Sequence, residues 1–174
     1  MPRKKRRLAT AEERKALAHP LRLRILRLCL DESLTNKDLA HALGKDPGST
    51  LFHVRKLVEQ GFLVAEQVRS GKGGALEKPY RATGKSWDLD MGLTESSSTL
   101  DMLEAFRAEM IEAGPSTLLM SIRAAMRLND EHVQELRDRI QDILDEFVEL
   151  RDSDGRRVSF LAAMHERPKP RRRR

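Results

Sequence analysis

The chain has 174 residues, 39% of them hydrophobic but only 4% aromatic, and 34% charged. That suits one compact domain plus an accessory region, with a core of Leu, Ile, Val, Met and Ala, and dense charge favours exposed helices over an all-β fold. No run approaches the roughly 20 apolar residues that span a bilayer, no apolar stretch follows the basic N-terminus as in a secretory signal, and a single cysteine, Cys29, excludes an internal disulfide or a multi-cysteine metal cage. The expected setting is cytoplasmic, with no membrane partner.

The net charge of +6 conceals a segregation along the chain. Residues 1–87 carry 19 Lys and Arg against 9 Asp and Glu, residues 88–155 carry 6 against 17, and the last 19 residues carry 8 against 1. A basic block attracts a polyanion by counterion release and an acidic block is repelled by one. This describes a nucleic-acid-facing half, a half turned away and a basic tail.

In chain order, residues 1–9 (MPRKKRRLA) form a charge run with no core-forming pattern, expected to be disordered. It reads either as a solubilising tail or as an arm along DNA phosphates. Thr10 followed by Glu13 has capping-box spacing and predicts a helix from Ala11. His19-Pro20 interrupts that helix, because the residue before proline avoids the α region, and Pro20 suits the first turn of a second one. The apolar stripe of this second helix is Leu21, Ile25, Leu28 and Cys29, with Arg22, Arg24 and Arg27 largely off it.

The stretch SLTNKDLAHALGKDPGSTLFHVRKLVEQGFL carries the functional signal. Thr35 caps a short helix with Asp38 in its first turn, and Gly44 stops it. Lys45-Asp46-Pro47-Gly48 makes a turn, and a third helix runs to Gln60 with Leu51, Val54, Leu57 and Val58 inward. Two short helices joined by a tight turn form a helix-turn-helix, which presents its second helix to the major groove. After Gly61 the periodicity changes: Phe62 to Val68 reads as a strand, Arg69 to Gly74 as a basic tip, and Leu76 to Thr83 as a returning strand. A β-hairpin behind a helix-turn-helix is a wing. Its glycines lack the Lys-Ser/Thr and the following helix of a phosphate-binding loop.

With LAHPLRLRIL, TNKDLAHALG, PGSTLFHVRKLVEQGFL and EKPYRATGKSW in this order, Ala16–Trp87 resembles the winged-helix domain of the ArsR-type bacterial regulators. The match spans a little under half the chain and is similar to a subgroup that adds a helical C-terminal region. The resemblance implies a homodimer acting as a transcriptional repressor, less often an activator. Its metal-sensing members place Cys-x-Cys immediately before the Asp-Leu-Ala of the first helix of the motif. Here Thr35, Asn36 and Lys37 stand there, and Asp130-x-His132 matches only half of the family's other site. No metal, cofactor or catalytic residue is expected, and the chain does not read as an enzyme.

Residues 88–98 are polar and read as a linker. From Ser98 a helix shows Leu100, Leu103, Phe106, Met110 and Ile111 at helical spacing, until Gly114-Pro115 breaks it. A short helix over 116–128 and a longer one from about Asp130 to Arg151 follow, the latter with Val133, Leu136, Ile140, Ile143, Leu144 and Phe147 on one stripe. Such a stripe reads either as ordinary core or as a dimer seam; dimerisation is the assignment adopted. Arg156 to Met164 alternates like a strand, and RPKPRRRR reads as a disordered tail.

The fold class expected is therefore mainly α with a small β-wing. A winged helix-turn-helix domain spans 10–87 and a linker 88–98, a helical dimerisation region with a terminal strand spans 99–165, and basic tails occupy 1–9 and 166–174. The partners expected are double-stranded DNA and a second copy of the chain. For DNA the candidates are Lys45, Ser49, Thr50, Phe52, His53, Arg55 and Lys56 on or before the third helix, and Arg69 and Lys72 on the wing. Small Ser49 and Thr50 let the helix approach the groove, and Phe52 suits a thymine methyl. Cys29 reads as a small core residue. A small-molecule effector is a further reading, with Met102, Met110, Met120 and Met126 as an apolar lining. The alternative function is a sequence-blind, nucleoid-associated DNA coater using its basic tails. Another is a protein-interaction module acting through the acidic helices.

Overall fold

The computed structural model describes residues 5–71, 74–92, 97–150 and 154–168. A two-residue strand β1 (Arg7–Leu8) leads into α1 (Ala11–Leu17), which a reciprocal capping box starts: the Glu13 amide donates to Thr10 Oγ1 and the Thr10 amide to Glu13 Oε2. His19 then takes an extended conformation and caps α2 (Pro20–Leu28), its ring nitrogen accepting from the Leu21 amide. Strand β2 (Leu34–Thr35) precedes α3 (Asn36–Leu43), which a second capping box between Thr35 and Asp38 starts. Gly44, at φ +60°, ends α3 in the left-handed conformation that favours glycine. Helix α4 (Pro47–Glu59) follows, capped by Asp46.

The chain then forms β3 (Leu63–Ala65), β4 (Arg69–Ser70), β5 (Leu76–Glu77) and β6 (Pro79–Ala82). Strands β3 and β6 are antiparallel, with Leu63 opposite Ala82 and Ala65 opposite Tyr80, and β2 pairs with the other edge of β6. Strands β4 and β5 form a separate distal ladder, so the pairing of the hairpin is interrupted between its base and its tip. The core lies between α1–α4 and the three-stranded sheet. Ile25, Cys29, Leu39, Val54 and Leu57 are fully buried there, with Phe62 and Leu63 nearly so. Burial pushes the Cys29 thiol up to about 12, consistent with an inert packing residue.

A 3-10 turn (Lys85–Asp88) leads to β7 (Leu89–Asp90), which pairs in parallel with β1. Helix α5 (Ser97–Ala113), a 3-10 turn (Pro115–Thr117) and α6 (Asp130–Glu149), capped by Asn129, complete the regular elements. No helix among the described residues is long and apolar enough to cross a membrane.

Five features differ from the sequence reading. Residues 5–9 are not a loose tail: Arg7 and Leu8 are in β1, and Ala9 is buried with its amide donating to the Asp90 carbonyl. Their acidic and aromatic partners lie elsewhere in the chain, beyond the reach of a local charge reading. The expected linker, 88–98, contains β7 and the start of α5. Residues 118–128 form no helix and are exposed throughout, because a short helix needs its apolar stripe packed and a single chain offers nothing to pack on. Residues 156–164 form no strand, since no ladder partner lies alongside them among the described residues. Side chains tether that segment instead, with Ser159 Oγ donating to Glu109 and Arg157 to Glu32.

The fifth difference is the face α5 uses. The helix lies along α2 through small and charged residues: Ala105 is buried, Arg24 pairs with Glu112, and Arg27 lies 3.5 Å from Glu109. Of the expected apolar stripe Phe106 is half-buried, while Leu100, Leu103, Met110 and Ile111 are left exposed. The charge segregation seen in the sequence thus helps dock the acidic half onto the basic one.

Candidate nucleic-acid interface

Helices α3 and α4 are fixed to each other at their N-terminal ends. Asn36 Nδ2 donates to the Pro47 carbonyl at 2.9 Å, Asp46 Oδ1 accepts the Ser49 amide at 3.0 Å, and Thr50 Oγ1 donates to the Asp46 carbonyl at 2.9 Å. A Cβ at Gly48 would sit 3.0 Å from Asp46 Oδ1, so the smallest residue stands where the capping carboxylate closes over the turn. The Asp46 carboxylate satisfies an amide that the start of a helix leaves without a partner, and the bonds to the two carbonyls tie α3 and the turn to the first turn of α4.

The outer face of α4 carries Ser49, Phe52, Arg55 and Lys56, all exposed, with Phe52 at 56%. A large exposed aromatic ring in the middle of a helix contributes little to the core and is available to a partner. Lys56 is 2.9 Å from Glu59 one turn on, while Lys45 and Arg55 make no ion pair among the described residues. Two of the expected contact residues lie elsewhere. Thr50 is fully buried, because its hydroxyl is spent on the Asp46 carbonyl inside the turn. His53 is only 9% exposed and faces α2, where its ring meets His19 and Arg22. A helix turns 100° per residue, so six candidates spread over positions 49–56, about two turns of α4, were bound to include inward positions.

On the wing, Arg69 is exposed and faces Glu77 across the β4–β5 ladder at 3.7 Å, a partner the linear reading did not give it. Lys72 lies outside the described residues. Exposed Lys78 and Arg81 add basic groups to the same hairpin that the sequence reading passed over, although their charge was visible. Lys37, on α3, is a further exposed basic group and borders a shallow depression with Ala40, His41, Gly44, Lys45 and Pro47 at the corner between α3 and α4. The signal for Lys37 was its place in the first turn of α3, across the motif's turn from Lys45.

The expected dimer stripe lies on α6, which has no buried residue. Ile143 and Phe147 are 55% and 65% exposed, whereas Val133, Leu136, Ile140 and Leu144 are half-buried. Met102, Met110, Met120 and Met126 are all exposed. Thr35 is spent on capping α3, and Asp130 and His132 are exposed at the start of α6. Among the described residues no group of three or more His, Cys, Asp and Glu is placed to hold a metal ion.

A family model described as a helix-turn-helix domain matches residues 17–66, from the end of α1 to just past β3. No curated protein matches the chain. Solved structures to which it is similar include reduced HlyU from Vibrio cholerae, at 20% identity over 51% of this chain and 77% of that one, with a TM-score of 0.34. The adhesin competence repressor AdcR of Streptococcus pyogenes aligns at 17% identity over 75% and 76% of the two chains, TM-score 0.34. Bacillus subtilis PadR in complex with operator DNA aligns at 13% identity over 74% and 68%, TM-score 0.33. With the three-stranded sheet and hairpin behind it, the matched segment is a winged helix-turn-helix, the architecture of DNA-binding transcription regulators.

Proposed function

We propose that the protein is a homodimeric, sequence-specific regulator of transcription, of the ArsR type and without a metal-sensing site, that acts as a repressor by occupying double-stranded DNA. The observation that carries this reading is the division of α4 into two faces. Val54 and Leu57 anchor the inner one in the core, while Ser49, Phe52, Arg55 and Lys56 stand outward at the spacing of a groove-reading helix. Ser49 and Phe52 address base edges; Lys45, Arg55, Lys56, Arg69 and Lys72 address phosphates. Phosphate contacts set position and base contacts carry sequence information.

Dimerisation rests on the apolar surface that one chain leaves uncovered. Leu100, Leu103 and Ile111 of α5, Leu118, Leu119 and Ile122 of the connector, and Ile143 and Phe147 of α6 are all exposed. Single exposed apolar residues are ordinary, and this number of them along residues 100–147 supports the reading of an interface. Two copies related by a two-fold axis would present their α4 helices to half-sites roughly 34–36 Å apart.

The test is selection of the full chain against random duplexes at about 0.15 M salt, near physiological ionic strength, with excess competitor DNA. Recovery of an inverted repeat supports the reading. Enrichment of no sequence, with binding abolished by removal of residues 1–4 and 167–174, which leaves the packed residues 5–9 in place, replaces it with a sequence-blind DNA coater.

A further inference from the structure

The inner face of α4 holds a polar cluster that neither the core nor the outward face requires. The His53 ring, 9% exposed, lies 4.5 Å from the His19 ring at an interplanar angle of 47°. Arg22 Nη1 lies 3.4 Å from His53 Nδ1. The same guanidinium is fixed on its other side, with Nη2 donating to the Lys15 carbonyl at 2.7 Å and Nε to the Ala16 carbonyl. His19 Nδ1 accepts the Leu21 amide at 3.1 Å and so caps α2. Guanidinium and backbone amide groups only donate, so both imidazoles are held through Nδ1 acting as an acceptor. Phe52 meets the His53 ring edge-on at 5.4 Å from the same helix.

We propose that His19, Arg22 and His53 form an acid-sensitive seat for α4: when either imidazole takes a proton at Nδ1 the seat loses an acceptor, gains a charge beside Arg22, and releases the DNA-reading helix from α2. The charges facing the cluster are Arg22 of α2 and Asp101 of α5. Asp101 eases the charging of His19, while His53 has His19 and Arg22 as its charged neighbours. Helix α3 and strand β3, which also pack on α4, contribute Leu39, Leu43 and Leu63 to the core there. Burial and then positive neighbours hold both rings below the usual histidine value of 6.5. A lowered folded value means that the seat contributes fully above that pH and is lost as pH falls from it toward the folded value.

The effect on DNA binding has a distinctive sign, and it rests on the reading of α4 as the helix that meets DNA. Acidification adds positive charge and so tightens phosphate-driven binding to any duplex. Release of α4 instead weakens binding to the preferred duplex in proportion to the fraction of chains left seated. The affinities for the preferred and the random duplex should therefore move in opposite directions, and so toward each other, as pH falls.

The experiment titrates the full chain from about pH 7.5 to about pH 5.5, the histidine range. Two readouts need no DNA: residue-assigned ring resonances by NMR, and the urea midpoint. The third is the ratio of affinities for a selected duplex and a random duplex at fixed salt. The comparison variant is His19→Asn with His53→Gln, which cannot titrate there and keeps a capping oxygen at position 19. The expected result is that both rings stay unprotonated at Nδ1 at neutral pH and titrate below the ordinary value. The wild-type urea midpoint falls on acidification with a slope that the variant loses, and the affinity ratio falls by about threefold or more. Rings titrating at or above the ordinary value, or identical pH slopes for wild type and variant, would overturn the proposal. If the variant does not fold, the wild-type ring titration alone decides. If no duplex is preferred at any pH, the DNA reading fails while the first two readouts still judge the seat.

Discussion

Arg6 of the N-terminal segment and Asp145 of α6, 139 positions apart, form a two-bond ion pair whose side chains are 13% and 15% exposed. Arg6 also donates to the Trp87 carbonyl at 2.8 Å and lies over the Trp87 ring at 4.9 Å. Its neighbour Arg7 donates to Glu13 at 2.8 Å. At these two positions the basic run is a strap joining the winged domain to α6. Asp145→Asn should lower the free energy of unfolding in urea by about 1–3 kcal/mol, the range for depriving a mostly buried charged donor of its partner. Arg6→Ala should leave the salt dependence of DNA binding unchanged. A decrease of about one in that slope would instead show Arg6 neutralising a phosphate.

Glu13 gives the clearest pH prediction on the acid side. Hydrogen bonds from Arg7, then Lys85, then the Thr10 amide hold its carboxyl well below the usual carboxylate value of 4.5. With the folded value depressed, its contribution is complete above that pH and is lost progressively as pH falls below it. Urea midpoints measured across this acid range should drop for the wild type. Glu13→Gln should be less stable at neutral pH and should show a shallower drop, because Lys85 Nζ, 2.7 Å from Glu13 Oε1, no longer has an anion to lose.

The two faces of α4 should separate cleanly in mutagenesis. Leu57→Ala, at a fully buried position, should cost about 2–5 kcal/mol of stability. Thr50→Val should cost about 1 kcal/mol through the lost bond to Asp46. Phe52→Ala should change stability by no more than about 0.5 kcal/mol, as expected for an exposed site. Thermal unfolding of the three variants checks this ordering; a large loss for Phe52→Ala would place that ring in the core.

If α6 supplies the dimer seam, a charge on its exposed stripe should dissociate the protein without unfolding the winged domain. Phe147→Asp combined with Ile143→Asp should weaken self-association by at least about thirtyfold in sedimentation velocity. Unchanged mass at micromolar concentration would move the seam to α5 and the 118–128 connector.

What could be read from the sequence followed from how local the determinant was. Thr10 with Glu13, Thr35 with Asp38, Pro20, Gly44 and Pro47 start or stop helices through bonds spanning a few residues, and each acts where expected. The strap at Arg6 depends on a carboxylate far away in the chain, and β2 exists only because Leu34 meets Tyr80. Neither is a local property. The candidate interface was legible as a helix but not as a face. Periodicity put Val54 and Leu57 inside, yet Thr50 and His53 are polar and read as surface until the Asp46 carbonyl and the His19–Arg22 pair supply their partners. The connector failed for a related reason: its stripe is helical in pattern, but a single chain provides nothing to cover it.

The most direct test of α4 as a sequence-reading helix is the ratio of affinities for the selected duplex and a random duplex, at one salt concentration, for the wild type and for Ser49→Ala with Phe52→Ala. The account predicts a wild-type ratio of about a thousand or more. It also predicts that the variant loses most of that ratio through the specific duplex while its binding to random DNA is unchanged. A wild-type ratio near one, or equal losses on both duplexes, would contradict it.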